Sequence, residues 1–400
     1  MPYDRHTQFN QLRSAPNCSG KYFEDINKDP LVSSDVDVSI TAWDTGISED
    51  DDLFNTTVHE YGRLRKLKYV FIAVCLIIIA AAISISVTIG SYDIGFFKVY
   101  ELIIEHIMGT VSPDDTTADY VVWELRLPRI ITAIFGGAAL AVAGCVMQSV
   151  LKNPLADSYT TGVASGAGFG AVVAMTFGIV IGAMSSVVVL AFLFALIPIG
   201  IIIAISRFTN SSPTTMIMAG LGTMYIFNAL TTVVMLYADP QALKEMYAWQ
   251  VGSLGLAQWD YVPMVVIMST VGVFISCLMG GKLNVLATGD ESAKALGINT
   301  DRMRILLLLL TGVLAAGIVS FIGLVGFVGL VSPHICRMFI GADNKFLIPA
   351  SAIFGSVLML IADQIGMVLL ATPLPVGVVM AFFGGPLFIW LILRRSSKAW

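Results

Sequence analysis

Leu125 to Ala174 reads LRLPRIITAIFGGAALAVAGCVMQSVLKNPLADSYTTGVASGAGFGAVVA. Two basic residues flank a proline, and a long apolar run rich in Gly and Ala follows. The polar break Lys152-Asn153-Pro154-Leu-Ala-Asp157 interrupts that run before a second one of the same kind begins. The physical reading is a pair of membrane-spanning helices joined by a short turn at Asn153 and Pro154, with small residues letting neighbouring helices approach closely. Asp157 or Ser158 is available to cap the second helix, expected at 158–180. Gly162, Gly166 and Gly170 recur every four residues on one face of it. Close helix packing is the preferred reading of that stripe, with gating as the alternative.

The composition extends this reading to the whole chain. Of 400 residues, 56% are hydrophobic and 13% charged, against about 25% charged in soluble domains. The apolar residues fall into many runs, and helices satisfy their own backbone groups in hydrocarbon. No run alternates as a transmembrane barrel strand would. The net charge of -5 is unevenly placed: residues 1–62 hold 12 acidic and 4 basic residues, and the remainder 16 and 19. Residues 1–62 therefore read as a polar, acidic, mostly disordered cytoplasmic tail, and 63–400 as the membrane domain. Residues 1–62 are polar and too long for the short basic region before a secretory signal peptide, so none is expected, and no nucleic-acid motif is seen. The five cysteines form no CxxC pair, and the four histidines form no metal cluster.

Arg63-Leu-Arg65-Lys66-Leu-Lys68 precedes the first apolar run and places the amino terminus in the cytoplasm. From there the spans are expected at 69–89, 127–148, 158–180, 184–205, 214–237, 261–280 and 305–325. A short eighth ends near Arg337, and the last two lie at 347–367 and 377–392. The fold class is thus all-α, a polytopic protein with about ten transmembrane helices and both termini cytoplasmic. A short extracytoplasmic helix is expected at 96–108. Between Lys282 and Arg304 a cytoplasmic interruption contains Thr288-Gly-Asp290-Glu291, spaced as a capping box. Ala293, Leu296 and Gly297 complete a short helix that Gly297 can end. Residues 323–333 read as a broken, Gly-punctuated turn, with Pro333, His334 and Arg337 as its structural residues. Pro375 and Gly377 mark the last outer turn. Arg126 and Arg129 face outward against the positive-inside trend, which points either to function or to snorkelling toward headgroups. His334 reads as a structural histidine, and Asp363, inside an apolar span, as a carboxylate needing a partner or a packing hydrogen bond.

Several motifs now fall in one order. They are Arg126-Leu-Pro-Arg129, Gly136-Gly-Ala-Ala-Leu140 with Gly144 and Gln148, and Asn153-Pro-Leu-Ala-Asp157. Gly162 with Ser165-Gly-Ala167, Trp249-Gln-Val-Gly-Ser-Leu254 and Ala293-Lys-Ala-Leu-Gly297 come next. Gly326-Phe-Val-Gly-Leu330, Pro333-His334 with Arg337, and Leu374-Pro-Val-Gly377 with Gly384-Gly-Pro386 close the series. Over residues 70–395 the chain resembles the FecCD-type, or type II, permease subunits of ABC importers for iron–siderophore complexes, haem and vitamin B12.

The resemblance implies a dimer of such permeases, expected as a homodimer, with two cytoplasmic ATPase subunits beneath and an extracytoplasmic solute-binding protein above. It implies that Asp290, Glu291, Ala293, Leu296 and Gly297 form the coupling helix seated on an ATPase. Arg126 and Arg129 would pair with acidic residues of the binding protein. With no Walker A motif, this chain is expected to bind no cofactor and to be no enzyme, ATP and Mg residing on partner subunits. Met367, Pro373 and Met380 stand where the family carries an arginine, an acidic residue and a threonine. The expected cargo is a ferric siderophore, with cobalamin or haem as alternatives. An ion-coupled secondary transporter is the rival of another class, and would need charged groups at the midplane.

Overall fold

The computed structural model describes residues 66–90, 92–181, 185–208, 212–370 and 372–393. The acidic tail expected at 1–62 lies outside the described residues, as do Arg394, Arg395 and Lys398. Helix α1 is Lys66–Thr88 and α2 is Phe96–Met108. Helix α3, Thr116–Tyr120, runs through a π-helical turn, Val121–Arg126, into α4, Leu127–Val150. Then come α5 Val163–Phe177, α6 Ser186–Phe208, α7 Pro213–Leu236, α8 Pro240–Gln250 and α9 Val262–Ala287. The rest are α10 Asp290–Ala295, α11 Thr300–Ile322, α12 Val328–Ile340, α13 Asn344–Val368 and α14 Val376–Leu393.

Among the described residues, seven helical stretches are long and apolar enough to cross a membrane: α1, the run Pro113–Val150 that ends in α4, α6, α7, α9, α11 and α13. Helices α5, α12 and α14 are apolar but shorter. The chain is an all-α, multi-pass membrane protein. Local chemistry explains the shortening of α5. Asp157 accepts from the backbone N–H groups of Tyr159 (3.0 Å) and Thr160 (2.9 Å), and the Thr161 hydroxyl donates to the Ser158 carbonyl. Such side-chain turns compete with the helix. Gly162, at φ 79°, becomes the residue before the helix, in place of Asp157 or Ser158.

The structure differs from four further expectations. The capping box does not form: Gly289 precedes α10, and the Thr288 hydroxyl donates to the Val285 carbonyl instead. Lys282 belongs to α9, which continues to Ala287. The chain break lies at 323–327, so Pro333, His334 and Arg337 sit inside α12 rather than in a turn. Similarly, Pro375 precedes α14 but Gly377 is in its first turn.

Helix α4 is the centre of the bundle. Its glycines set the distances to its neighbours. A Cβ on Gly137 would lie 2.5 Å from the Gly355 carbonyl oxygen of α13, and one on Gly144 would overlap the Gly329 carbonyl of α12. Hydroxyls fasten α4 to its neighbours as well: Ser356 of α13 donates to the Ile134 carbonyl and Ser269 of α9 to that of Phe135, each at 2.7 Å. Pro333 has no N–H to offer the Gly329 carbonyl four residues back. The Gln148 amide of α4 donates to that carbonyl at 3.4 Å, and Arg337 donates to the Gln148 side-chain oxygen at 3.2 Å. At the Lys152 end, the Asn284 amide donates to Asp343 (2.7 Å), which also pairs with Lys68 (3.7 Å), joining α1, α9 and the start of α13.

Candidate functional site

The residues singled out in the sequence for docking lie at two opposite ends of the bundle, and a cleft lies apart from them. The first end is that of Arg126 and Arg129. The π-helical turn delivers Arg126 inward, where it is 7% exposed. Its guanidinium donates to the carbonyls of Val87 (2.6 Å) and Thr88 (2.9 Å), at the end of α1, and to that of Tyr92. The first two are terminal helix carbonyls that lack intrahelical donors, and Tyr92 lies in the loop that follows. The guanidinium of Arg126, expected in a docking role, is thus buried and engaged on three carbonyls of the chain itself. Three residues on, Arg129 grips Asp363 of α13 in a two-pronged pair, Nε to Oδ2 at 2.8 Å and Nη2 to Oδ1 at 2.7 Å. The Asp363 side chain is 2% exposed and that of Arg129 19%. Asp363 was legible as a carboxylate needing a partner, but the partner lies 234 residues away in the chain. Met367, one turn further along α13, is half-buried, and Met380 in α14 is buried.

The cleft, about 580 Å³, opens where the end of α8, the break at 323–327 and the first half of α14 meet. Backbone joins the three pieces. Ser253 N–H donates to the Ile322 carbonyl (2.8 Å), and Gly377 N–H to the Gly252 carbonyl (3.1 Å). Any side chain on Gly377 would overlap the Val251 carbonyl. Val251, Leu324, Phe327, Val378, Ala381 and Phe382 give the cleft its walls, and Gln250 supplies a side-chain amide. Among the described residues no charged one lines it. Phe327 stands before α12 at φ 67°, a left-handed conformation rare for a bulky residue. Its ring rests on Gly384 and Gly385 of α14. The Trp249-to-Leu254 and Gly326-Phe327 motifs were visible in sequence as separate features, and their convergence was not.

The second end carries the short helix. Gly297 closes α10 at φ 80°, with Ile298 N–H donating to the Ala293 carbonyl at 2.9 Å. Asp290 receives Arg304 Nη2 at 2.6 Å and Lys152 Nζ at 3.2 Å, tying α10 both to α11 and to the turn after α4. The hydrogen bond from Arg304 holds its carboxyl below the usual carboxylate range, aided by Lys152. Glu291 is exposed, Ala293 is fully buried and Leu296 is 70% exposed. The helix thus presents Leu296 and inserts Ala293.

The remaining expected positions have structural settings. Gly166 and Gly170 press α5 against the Phe194 and Leu190 carbonyls of α6, while Gly162 meets α7 near Gly220. Asn153 accepts from Leu155 N–H at 2.9 Å in the turn that holds Pro154. His334 is buried, its ring edge-on to Phe388 at 6.0 Å. Among the described residues no three His, Cys, Asp or Glu side chains converge as a metal site.

Known proteins are similar to this chain in sequence and in fold. The hemin transport system permease protein HmuU of Yersinia pestis is 34% identical over 84% of this chain and 98% of its own. The cobalamin import system permease protein BtuC of Halobacterium salinarum is 35% identical over 71% and 76%. A solved ABC transporter chain assigned to the metal-chelate type, in an inward-facing conformation, superposes with a TM-score of 0.72 at 28% identity, over 81% of this chain and 99% of that one. Residues 76–394 match the FecCD transport family, and the chain accordingly belongs to that family as a permease subunit of an ABC importer, a transport component and not itself a catalyst.

Proposed function

We propose that this chain forms half of an ATP-driven import pathway for a bulky metal chelate, a ferric siderophore in the first instance. The observation that carries this reading is the cleft between α8, the 323–327 break and α14. It is walled by apolar side chains and backbone, bears no charged residue among those described, and lies open on one side. Such a wall offers a wrapped chelate a surface to pass over and offers a bare metal ion no ligands. A second copy of the chain would close the open side and give a pathway along the shared axis.

In this reading the chain crosses the membrane ten times, with α5, α12 and α14 completing the count and both termini in the cytoplasm. The Lys and Arg residues near the Lys152 end support that orientation. Helix α10 seats on a separate ATPase subunit through Leu296 and Glu291, and the Asp290 pairs pass its displacement to α11 and to the turn after α4. ATP and Mg belong to that partner. A solute-binding protein docks at the other end, where Arg129, with its residual exposure, is the candidate contact and Asp363 competes for it. The secondary-transport rival needs an unengaged midplane charge, and the one candidate in the sequence, Asp363, is held by Arg129.

The test is uptake by proteoliposomes holding this chain with its ATPase and binding protein, offered labelled ferric siderophores, haem and cobalamin. Accumulation of a ferric siderophore only with internal ATP is expected. Accumulation of haem or cobalamin instead would keep the class and replace the cargo. Uptake driven by a proton gradient without ATP would overturn the mechanism.

A further inference from the structure

Helix α2 has three unlike faces. Val99 and Leu102 are fully buried, and His106 lies on the same side. His106 Nδ1 meets Asp119 of α3 at 2.8 Å, and its ring stacks on Trp123 of the π turn at 3.9 Å. A second strip carries charge: Lys98, Glu101 and Glu105, with Lys98 paired to Asp115 at 2.9 Å. The third face consists of Phe97, Tyr100, Ile104, Ile107 and Met108, spaced three and four apart along one stripe. All five are exposed, Phe97 at 84% and Ile107 at 71%. Contiguous apolar surface of this kind marks an interaction site.

Connectivity fixes the depth of that stripe. Helix α1 has 23 residues, about 34 Å at 1.5 Å per residue, which matches a hydrocarbon core of about 30 Å. Its last carbonyls, held by Arg126, therefore reach the headgroup level, and α2 starts eight residues beyond Thr88. The other attachment of α2, through Asp119 and Trp123, leads directly into α4 and returns to the same level. Exposed apolar residues of α1, such as Ile77 and Ile85, face the surroundings of the bundle.

We infer that α2 lies flat in the lipid headgroup boundary at the Arg126 end, its Phe97-to-Met108 stripe in the acyl region and its charged strip in water. A lipid surface is the partner that this depth and the amphipathic faces specify. An interfacial helix needs an apolar face and a polar one and no single charge sign. Through His106 and Asp119 it would hold the segment that positions Arg126 at a set height in the bilayer.

The test places spin labels, one at a time, at Ile107, Glu101 and Ile77 of the full chain in phosphatidylcholine and phosphatidylglycerol vesicles. Collision with oxygen, which dissolves in lipid, is compared with collision with a water-soluble nickel chelate. The expected result is a ratio at Ile107 several-fold above that at Glu101 and close to that at Ile77, unchanged by adding the solute-binding protein. Equal ratios at Ile107 and Glu101 would overturn the inference. So would a label at Ile107 shielded from both reagents, which means protein covers the stripe, or shielded only once the binding protein is present. Water access at Ile77 as well would fail the membrane reading of α1 itself, an outcome separate from failure at Ile107 alone.

Discussion

At the scale of single residues, the arginines and Asp157 carry the sharpest expectations. Arg129→Ala strands the Asp363 carboxylate among apolar helices, a loss of about 3–5 kcal/mol. The double variant Arg129→Met with Asp363→Leu removes both charges and should recover most of that loss. Thermal unfolding in detergent reads both, and equal destabilisation by single and double variants would refute the pair's role. Because Arg126 holds three carbonyls, Arg126→Glu disturbs the junction of α1 and α4 whatever the binding protein does. Docking is therefore tested at Arg129 alone, with Asp363→Asn as the variant that loosens its internal competitor. Asp157 lies in the turn between α4 and α5, where burial pushes its carboxyl up to about 6 against the opposing Thr160 and Tyr159 N–H bonds. A carboxyl raised by folding takes up its proton more readily folded than unfolded. Its contribution is therefore free of penalty below the ordinary carboxylate range, falls as pH rises toward 6, and stays unfavourable above, by up to about 3 kcal/mol. Asp157→Asn keeps the acceptor for both N–H groups. It should raise the unfolding temperature at pH 7.5 and lose that advantage near pH 4. An advantage independent of pH would refute the assignment.

At the scale of elements, helix crossings and the short helix decide what can be changed. The α4–α12 crossing places Gly144 against the Gly329 carbonyl, and backbone cannot move aside as a side chain can. Gly144→Ala should cost at least about 1–3 kcal/mol, seen as a lower unfolding temperature and a smaller monodisperse yield. Gly222, with open space around its Cβ position, is the control that should tolerate Ala. On α10 the two hydrophobic positions separate docking from folding. Leu296→Asp should leave folding intact and weaken ATPase co-purification at least about tenfold, or 1.4 kcal/mol. Ala293→Asp buries a charge and should fail in folding first. Unchanged ATPase retention by Leu296→Asp would remove α10 from the proposed interface.

At the scale of the whole molecule, collapsing the proton gradient should leave uptake unchanged while exhausting ATP abolishes it. The composition and the order of apolar runs determined by themselves that the chain is an all-α membrane protein, because hydrocarbon admits few ways to satisfy a backbone. The motif order from Arg126 to Pro386 determined the family. Helix ends were less legible: Asp157, Thr160 and Thr161 turned on their own backbone and shortened α5, and Pro333 stayed within α12 because Gln148 of another helix serves the carbonyl it leaves. Only the tertiary structure decided which groups meet. Arg129 and Asp363 are 234 residues apart, and the cleft draws its walls from α8, the 323–327 break and α14. Arg126 read as an outward-facing charge until the end of α1 came into place beside it. A residue's tendency to be helical or buried is written in its near neighbours. Its partner is set by how helices cross, and that depends on glycines and hydroxyls contributed from both sides of each contact at once.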